Sequence, residues 1–243
     1  KNSSLIWVHN DGGNPPDIFA MDSEGGHVAT FRLDGVRNRD WEDMGLGPGP
    51  AEGQSYLYIG DIGDNNGVYE QIYVHRIPEP SVQTGNAPYQ RTITDFETIT
   101  LQYPDGPRDS ETLMVDPRTK DLIIISKREN NVGIYIAEYP QSVEETVTLN
   151  KVGTLKLSSI TAGDISPSGS GILLKDYQDI YYWPRSQNLS ISEALSKSYN
   201  TVRYIPEFQG EAVAWEPNEK GYYTVSEEPG GMPAYLYFYR WKK

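Results

Sequence analysis

The sequence contains no cysteine, which excludes disulfides, thiolate metal sites and a cysteine nucleophile. Histidine is nearly as scarce: His9, His27 and His75 are the three present, too scattered to suggest a zinc triad. No run of 18 apolar residues occurs, so the sequence offers no membrane-spanning helix. Its first residues, KNSS, lack the apolar stretch of a secretion signal. Positive charge is also short, with 21 Lys and Arg against 34 Asp and Glu for a net charge of -13. With no basic stripe to displace counterions from phosphates, nucleic acid is a poor partner, and an anionic membrane surface equally so. Helix signals are confined to 186–199, where Ser190 or Ser192 would serve as the N-cap.

What the chain has instead is short strands and turns. The 23 glycines and 17 prolines gather in segments such as GNPPD, GLGPGP and SPSGSG, and Val, Ile, Tyr and Thr fill the runs between them. Five times a strand with a polar end is followed by a strand carrying an aliphatic-aromatic pair: WVHN…DIFAMD, YIGD…QIYVHR, IISK…GIYIAE, LLKD…DIYYWP and TVSE…YLYFYR. Phe19, Tyr73, Tyr135, Tyr181 and Tyr237 mark the copies, at a spacing of roughly 40 to 60 residues, the size of a propeller blade. The reading is an all-β fold of one domain over 1–243, a five-bladed β-propeller, with six blades as the alternative count. Such radial repetition aims equivalent positions at one axis, so a modest residue preference becomes a site.

A further strand precedes four of the pairs: WEDMGLGPG, SETLMVDPR, GDISPSGSG and GEAVAWEPN, with Glu42, Glu111, Asp164 and Glu211 aligned near their starts. Two copies extend to Arg39-Asp40-x-Glu42 and Arg108-Asp109-x-Glu111. These are the innermost strands of four blades. Outer strands fit HVATFRL, RTITDFETITLQY, TVTLNKVGTLKL and NTVRYIP. The first blade begins at its second strand and so lacks an innermost strand within this chain. Propellers commonly close with a strand from the other end of the chain, so the expectation is a separate or cleaved N-terminal segment of roughly 20 to 35 residues that completes the ring.

The chemistry is expected where the blades converge. Glu42, Glu111, Asp164 and Glu211, with Asp61 and Glu227 from the second strands, form a candidate metal set. Asn10, Arg39, Trp41, Arg108, Lys127 and Asp176 are candidate ligand-binding residues around them. Converging carboxylates repel unless they are protonated or share a cation. A hard ion with oxygen ligands suits them, and Ca²⁺, which takes six to eight oxygens in flexible geometry, suits a wide channel. Two acidic loops, HNDGGNPPD (9–17) and GDIGDNNGVYEQ (60–71), are each a candidate for a second cation, although the latter lacks the glutamate of a calcium loop and reads equally as a tight Asx-rich turn. The tryptophans other than Trp41 read as packing between blades. Sequons at Asn2 and Asn188 permit glycosylation, which accords with a secreted, extracellular protein.

The blades ETLMVDPRTKDLIIISK and EAVAWEPNEKGYYTVSEE resemble those of calcium-containing β-propellers: phytase-like proteins, calcium-activated nucleotidases and the lactonase and strictosidine-synthase-like group. WVHNDGGNPP, NRDWEDMGLGPGP and YIGDIGDNN are similar to segments of uncharacterised secreted propeller proteins. The resemblance implies a channel calcium that polarises a phosphate or ester oxygen, with Glu42, Glu111, Glu211 and Glu227 as matching positions and Asp61 and Asp164 less secure. Two functions follow: a calcium-binding module that contacts a small-molecule or protein ligand at the channel mouth, or a calcium-dependent hydrolase of phosphate or carboxylic esters.

Overall fold

Runs such as Leu122–Ser126 (LIIIS) and Gly171–Lys175 (GILLK) are too short for helices, rich in branched residues and bounded by turns. Every residue of both runs is buried, as expected for strands in the middle of sheets packed on two faces. The computed structural model describes residues 5–83, 85, 87–228, 231 and 233–241. It contains five small sheets arranged in a ring, a β-propeller, and almost no helix.

Blade 1 comprises β1 (Ile6–His9), β2 (Asp17–Met21) and β3 (His27–Leu33). Blade 2 runs outward from β4 (Trp41–Pro48) through β5 (Ser55–Asp61) and β6 (Ile72–Pro78) to β8 (Glu97–Gln102), which follows β7 (Tyr89–Ile93) in the chain. Blade 3 comprises β9 (Ser110–Val115), β10 (Leu122–Ser126), β11 (Val132–Ala137) and β13 (Asn150–Leu155), the last preceded by β12 (Val147–Thr148). Blade 4 comprises β14 (Ala162–Ile165), β15 (Gly171–Lys175), β16 (Ile180–Pro184) and β17 (Asn200–Val202). Blade 5 comprises β18 (Gly210–Trp215), β19 (Gly221–Ser226) and β20 (Tyr237–Arg240). Among the described residues, blade 1 has no inner strand.

Two expected outer strands are each divided. RTITDFETITLQY becomes β7, which pairs in parallel with β3 of blade 1, and β8, which closes blade 2. TVTLNKVGTLKL likewise becomes β12, parallel to β8, and β13 of blade 3. In both cases the chain binds the preceding sheet before crossing to its own, a step that strand propensity cannot reveal because both halves have the same composition. The helical segment is α1 (Ile191–Leu195), where Ser190 caps the Glu193 amide and Glu193 reaches back to the Ser190 amide. This reciprocal capping box ends two orphan donors at once.

Four apolar clusters fill the spaces between consecutive blades. Phe31, Leu33, Trp41, Leu57 and Ile59 join blades 1 and 2. Tyr58, Val74, Leu113, Ile124 and Tyr135 join blades 2 and 3. Ile123, Ile134, Ile172, Trp183 and Leu195 join blades 3 and 4. Trp215, Tyr222 and Tyr239 with Leu173 and Ile180 join blades 4 and 5. The inner strands β4, β9, β14 and β18 are neighbours around a central channel. No helix among the described residues is long and apolar enough to cross a membrane.

Candidate functional site: an acidic channel mouth

Three inner strands begin with the same irregularity. Trp41 pairs with Asp61 and Asp43 with Gly60, leaving Glu42 as an extra residue. Ser110 pairs with Ser126 and Thr112 with Ile125, leaving Glu111 extra. Gly210 pairs with Ser226 and Ala212 with Val225, leaving Glu211 extra. A bulge of this kind re-aims the extra side chain out of the ordinary alternation. The three glutamates are therefore equivalent by hydrogen-bond register as well as by sequence, at one end of the channel.

Asp164 is not at that level. Blade 4 has no bulge in its pairing, and Asp164 lies opposite Leu173 within the strand. Its oxygens accept from the Ile165 amide at 2.8 Å and the Trp215 amide of blade 5 at 2.7 Å. Asp43 clasps blade 3 in the same manner, accepting from the Leu113 amide at 2.9 Å. Burial pushes Asp43 up to about 8 and Asp164 up to about 7.

The mouth itself has two halves. On one side a polar chain runs from Glu111 through Lys127 to Tyr177 and Glu211. Lys127 contacts a Glu111 oxygen directly and donates to the Tyr177 hydroxyl at 3.0 Å, and Tyr177 donates to Glu211 at 2.7 Å. Although burial works against its charge, Glu111 and Tyr177 hold Lys127 protonated. On the other side Asp11, from the loop after β1, meets Asp40 and Glu42, with one carboxylate oxygen from each within 4.8 Å of the others. Asp11 is exposed and the other two are half-buried.

The backbone is cut away to permit this approach. A Cβ on Gly63 would lie 2.2 Å from a Glu42 oxygen and 2.6 Å from an Asp40 oxygen, and one on Gly12 would lie 2.3 Å from the other Asp40 oxygen. Burial, then the neighbouring charges of Glu111, Asp11, Asp40 and Asp109, push Glu42 up to about 11. Burial followed by Asp11 and Asp109 raises Asp40 to about 6. Burial also raises Glu111 to about 8 despite Lys127, and Glu227 to about 7 with help from Glu211. The second Glu111 oxygen is buried with no hydrogen-bond partner.

The remaining expected site residues have other occupations. Asp61 is 2% exposed and accepts from the Arg39 and Asp40 amides at 3.3 and 3.2 Å, so it holds the turn that presents Asp40. Glu227 accepts from Gln209 at 2.9 Å. Arg39 lies 4.1 Å from the Tyr69 ring centre and 5.2 Å from that of Tyr73, and is ion-paired with Asp61. Arg108 likewise lies over Tyr103 and Tyr135 and pairs with Asp105 and Glu129. Trp41 is 0% exposed and packs against His9 and His75, so it backs the mouth and presents no face to a ligand. Asp176 is consumed by its own turn, accepting from the Gln178 and Asp179 amides and the Tyr181 hydroxyl. Asn10 is exposed at the rim, its carbonyl held by Asn38.

Sequence reasoning placed Asp11 in a separate loop site and left Asp40 and Tyr177 out of the site altogether. The repeated Arg-Asp-x-Glu motif was the signal that could have promoted Asp40. Asn2 lies outside the described residues. Asn188 is exposed in the loop before α1.

No family model matches the chain, and no curated protein matches it. Solved structures with a similar course include the Dos1 propeller, at 11% identity and a TM-score of 0.41 over 91% of this chain and 62% of that one. Another is a putative 6-phosphogluconolactonase from Bacteroides uniformis ATCC 8492, at 13% identity and a TM-score of 0.44 over 98% and 64%. The chain thus spans less than two thirds of the length of either. These neighbours are propeller-like at low identity, and neither points to the calcium-containing group.

Proposed function

We propose that the protein is an extracellular cation-binding propeller module that holds one calcium ion at the channel mouth through Asp11, Asp40 and Glu42. The carrying observation is the meeting of these three carboxylates in a space kept open by Gly63 and Gly12. All donors are oxygens, which favours a hard cation over zinc. The unpartnered Glu111 oxygen offers a further acceptor at the same mouth. Lys127 neutralises the opposite half, whereas on the Asp11 side Arg39 is turned into a tyrosine stack and paired with Asp61, and Arg128 is paired with Asp109. A bound divalent ion would relieve the repulsion that raises Glu42 and Asp40.

The same residues favour a module over a hydrolase of phosphate esters, which requires positive side chains facing the substrate. Arg39 and Arg108 are committed to carboxylates and tyrosine rings, and Lys127 to Glu111. Secretion rests on the exposed sequon at Asn188 and on the match between three-carboxylate sites and the calcium levels outside cells. The test is thermal and chemical unfolding with chelator and with 10 mM calcium. For a dissociation constant of about 10⁻⁴ to 10⁻³ M, as in extracellular modules, calcium stabilises the fold by about 1.4 to 2.7 kcal/mol. Glu42→Gln abolishes that gain. An equal response in wild type and Glu42→Gln, or none in either, removes the proposal.

A further inference from the structure

The junctions between blades differ on the face opposite the acidic mouth, where each inner strand turns into the second strand. In blade 3 that turn begins at Asp116, whose amide donates to the Asp121 carbonyl. In blade 4 the same bond runs from Ser166 to Gly171, and in blade 5 from Glu216 to Gly221. The third strands end equivalently, since the Arg185 amide donates to Ser170 and the Trp241 amide to Lys220.

At the junction of blades 3 and 4 these positions form a plug. Arg185 pairs with Asp116 at 2.8 Å, both side chains being at most 3% exposed, and Arg118 bonds the Ser168 and Ser186 carbonyls across the gap. At the junction of blades 4 and 5 the equivalent pair is Ser166 and Trp241. No ion pair can form between them, and a cleft of about 900 Å³ remains.

Tyr182, Trp215 and Trp241 form an aromatic wall of this cleft, with Tyr182 and Trp241 rings 4.7 Å apart and Trp215 and Trp241 rings 4.9 Å apart. Trp215 is 8% exposed, and its buried indole N–H has no partner. Glu216, Glu219, Lys220 and Arg240 line the cleft, so the charged lining sums to zero; Glu216 accepts from Asn218 and the Lys220 amide and Glu219 from the Ser168 amide, each with acceptor lone pairs to spare. Lys220 and Arg240 are exposed and, among the described residues, in no ion pair. A cavity of this size lies within the range of small-molecule sites.

We infer that this cleft is a binding site for a neutral oligosaccharide of two or three sugar units. Balanced charge favours neither an anion such as a nucleotide nor a cation, and the polar half of the lining is wrong for a lipid chain. A sugar presents C–H faces that suit the aromatic wall and hydroxyls that suit a mixture of carboxylate acceptors and cationic donors. The cleft lies at the other end of β18 from Glu211, so the site stands independently of the cation at the mouth.

The experiment is calorimetric and tryptophan-fluorescence titration of the whole chain with chitotriose, cellotriose and maltotriose up to 10 mM, in chelator. Binding of at least one, with a shift in tryptophan emission, is expected. Trp241→Ala should weaken it about tenfold or more, as should Arg240→Ala, an exposed change that leaves the packing intact. If none of the three sugars binds, or if binding persists unchanged in both variants while they melt like wild type, the inference is overturned.

Discussion

The two ends of the central channel are built by the same inner strands and have opposite chemistry. Where β4, β9 and β18 begin, bulges turn Glu42, Glu111 and Glu211 together, and Asp11 and Asp40 join them. Toward the strand ends, Leu5, Met44, Leu46, Val115, Ile165 and Val213 line a mainly apolar cavity of about 390 Å³, with Asp164 and Glu79 among its polar neighbours. One added residue per strand is enough to separate them. Beyond the bulge ordinary alternation resumes, and the side chains that face neighbouring blades are apolar apart from Asp43 and Asp164, whose raised values leave them largely protonated and whose oxygens are taken up by amides of the next blade. The lesson is that a propeller can concentrate charge at one rim without placing it in its core, because the bulge isolates the register of the first residue from that of the rest.

The largest way to break this division is to move charge to the wrong end. Val115→Glu buries an unpaired carboxylate at a position 4% exposed, and urea unfolding should show a loss of about 3 kcal/mol or more. Acid should act nearly as strongly on the wall behind the mouth. Burial lowers His75 to about 4, so the folded state resists protonation that the unfolded chain accepts near 6.5. Its contribution is present above pH 6.5 and lost as the pH falls through 4, by up to about 3 kcal/mol. The mouth carboxylates have the opposite sign in chelator, because values raised in the fold mean stability that is lost as the pH rises above their unfolded range. A stability profile with a maximum at mildly acidic pH tests both, and a flat profile contradicts both.

Smaller changes sharpen the contrast. At the apolar end, Gly47→Ala places a Cβ 2.5 Å from a Val115 methyl and should cost about 1 to 3 kcal/mol by overpacking, read from the same unfolding curves. At the mouth, Glu42→Gln should leave the chelated protein within about 0.5 kcal/mol of wild type at neutral pH, because burial and the neighbouring carboxylates already keep Glu42 protonated there, yet it removes the response to calcium. Gly63→Ala should shift stability least while weakening calcium binding, since it separates Asp40 from Glu42. Unchanged calcium affinity in that variant would show that their close approach is incidental.

Much of the fold was legible because its signals are local. The aliphatic-aromatic third strands and the acid-led inner strands recur, and each copy became a blade. Glu42, Glu111 and Glu211 were legible for the same reason. Asp164 was misaligned because GDISPSG has the same spacing to its turn, yet a bulge depends on pairing with the next strand, which spacing does not encode. Asp11 could be placed at the mouth only by knowing how the loop after β1 crosses to blade 2. Arg39 and Arg108 looked like anion donors because Tyr69 and Tyr135, which cover them, lie far along the chain.

The divided outer strands carry a mechanical consequence. β7 staples the start of one outer strand to blade 1, and β12 does so to blade 2, each through a parallel ladder. Blades 4 and 5 have no such staple among the described residues, and helix α1 offers only apolar contact, through Ile191, Ala194 and Leu195, at the seam of blades 3 and 4. Tension applied to the C-terminal end should therefore peel blade 5 away first, then blade 4 once the Arg185–Asp116 pair and the Arg118 bonds yield, and halt at the laced trio.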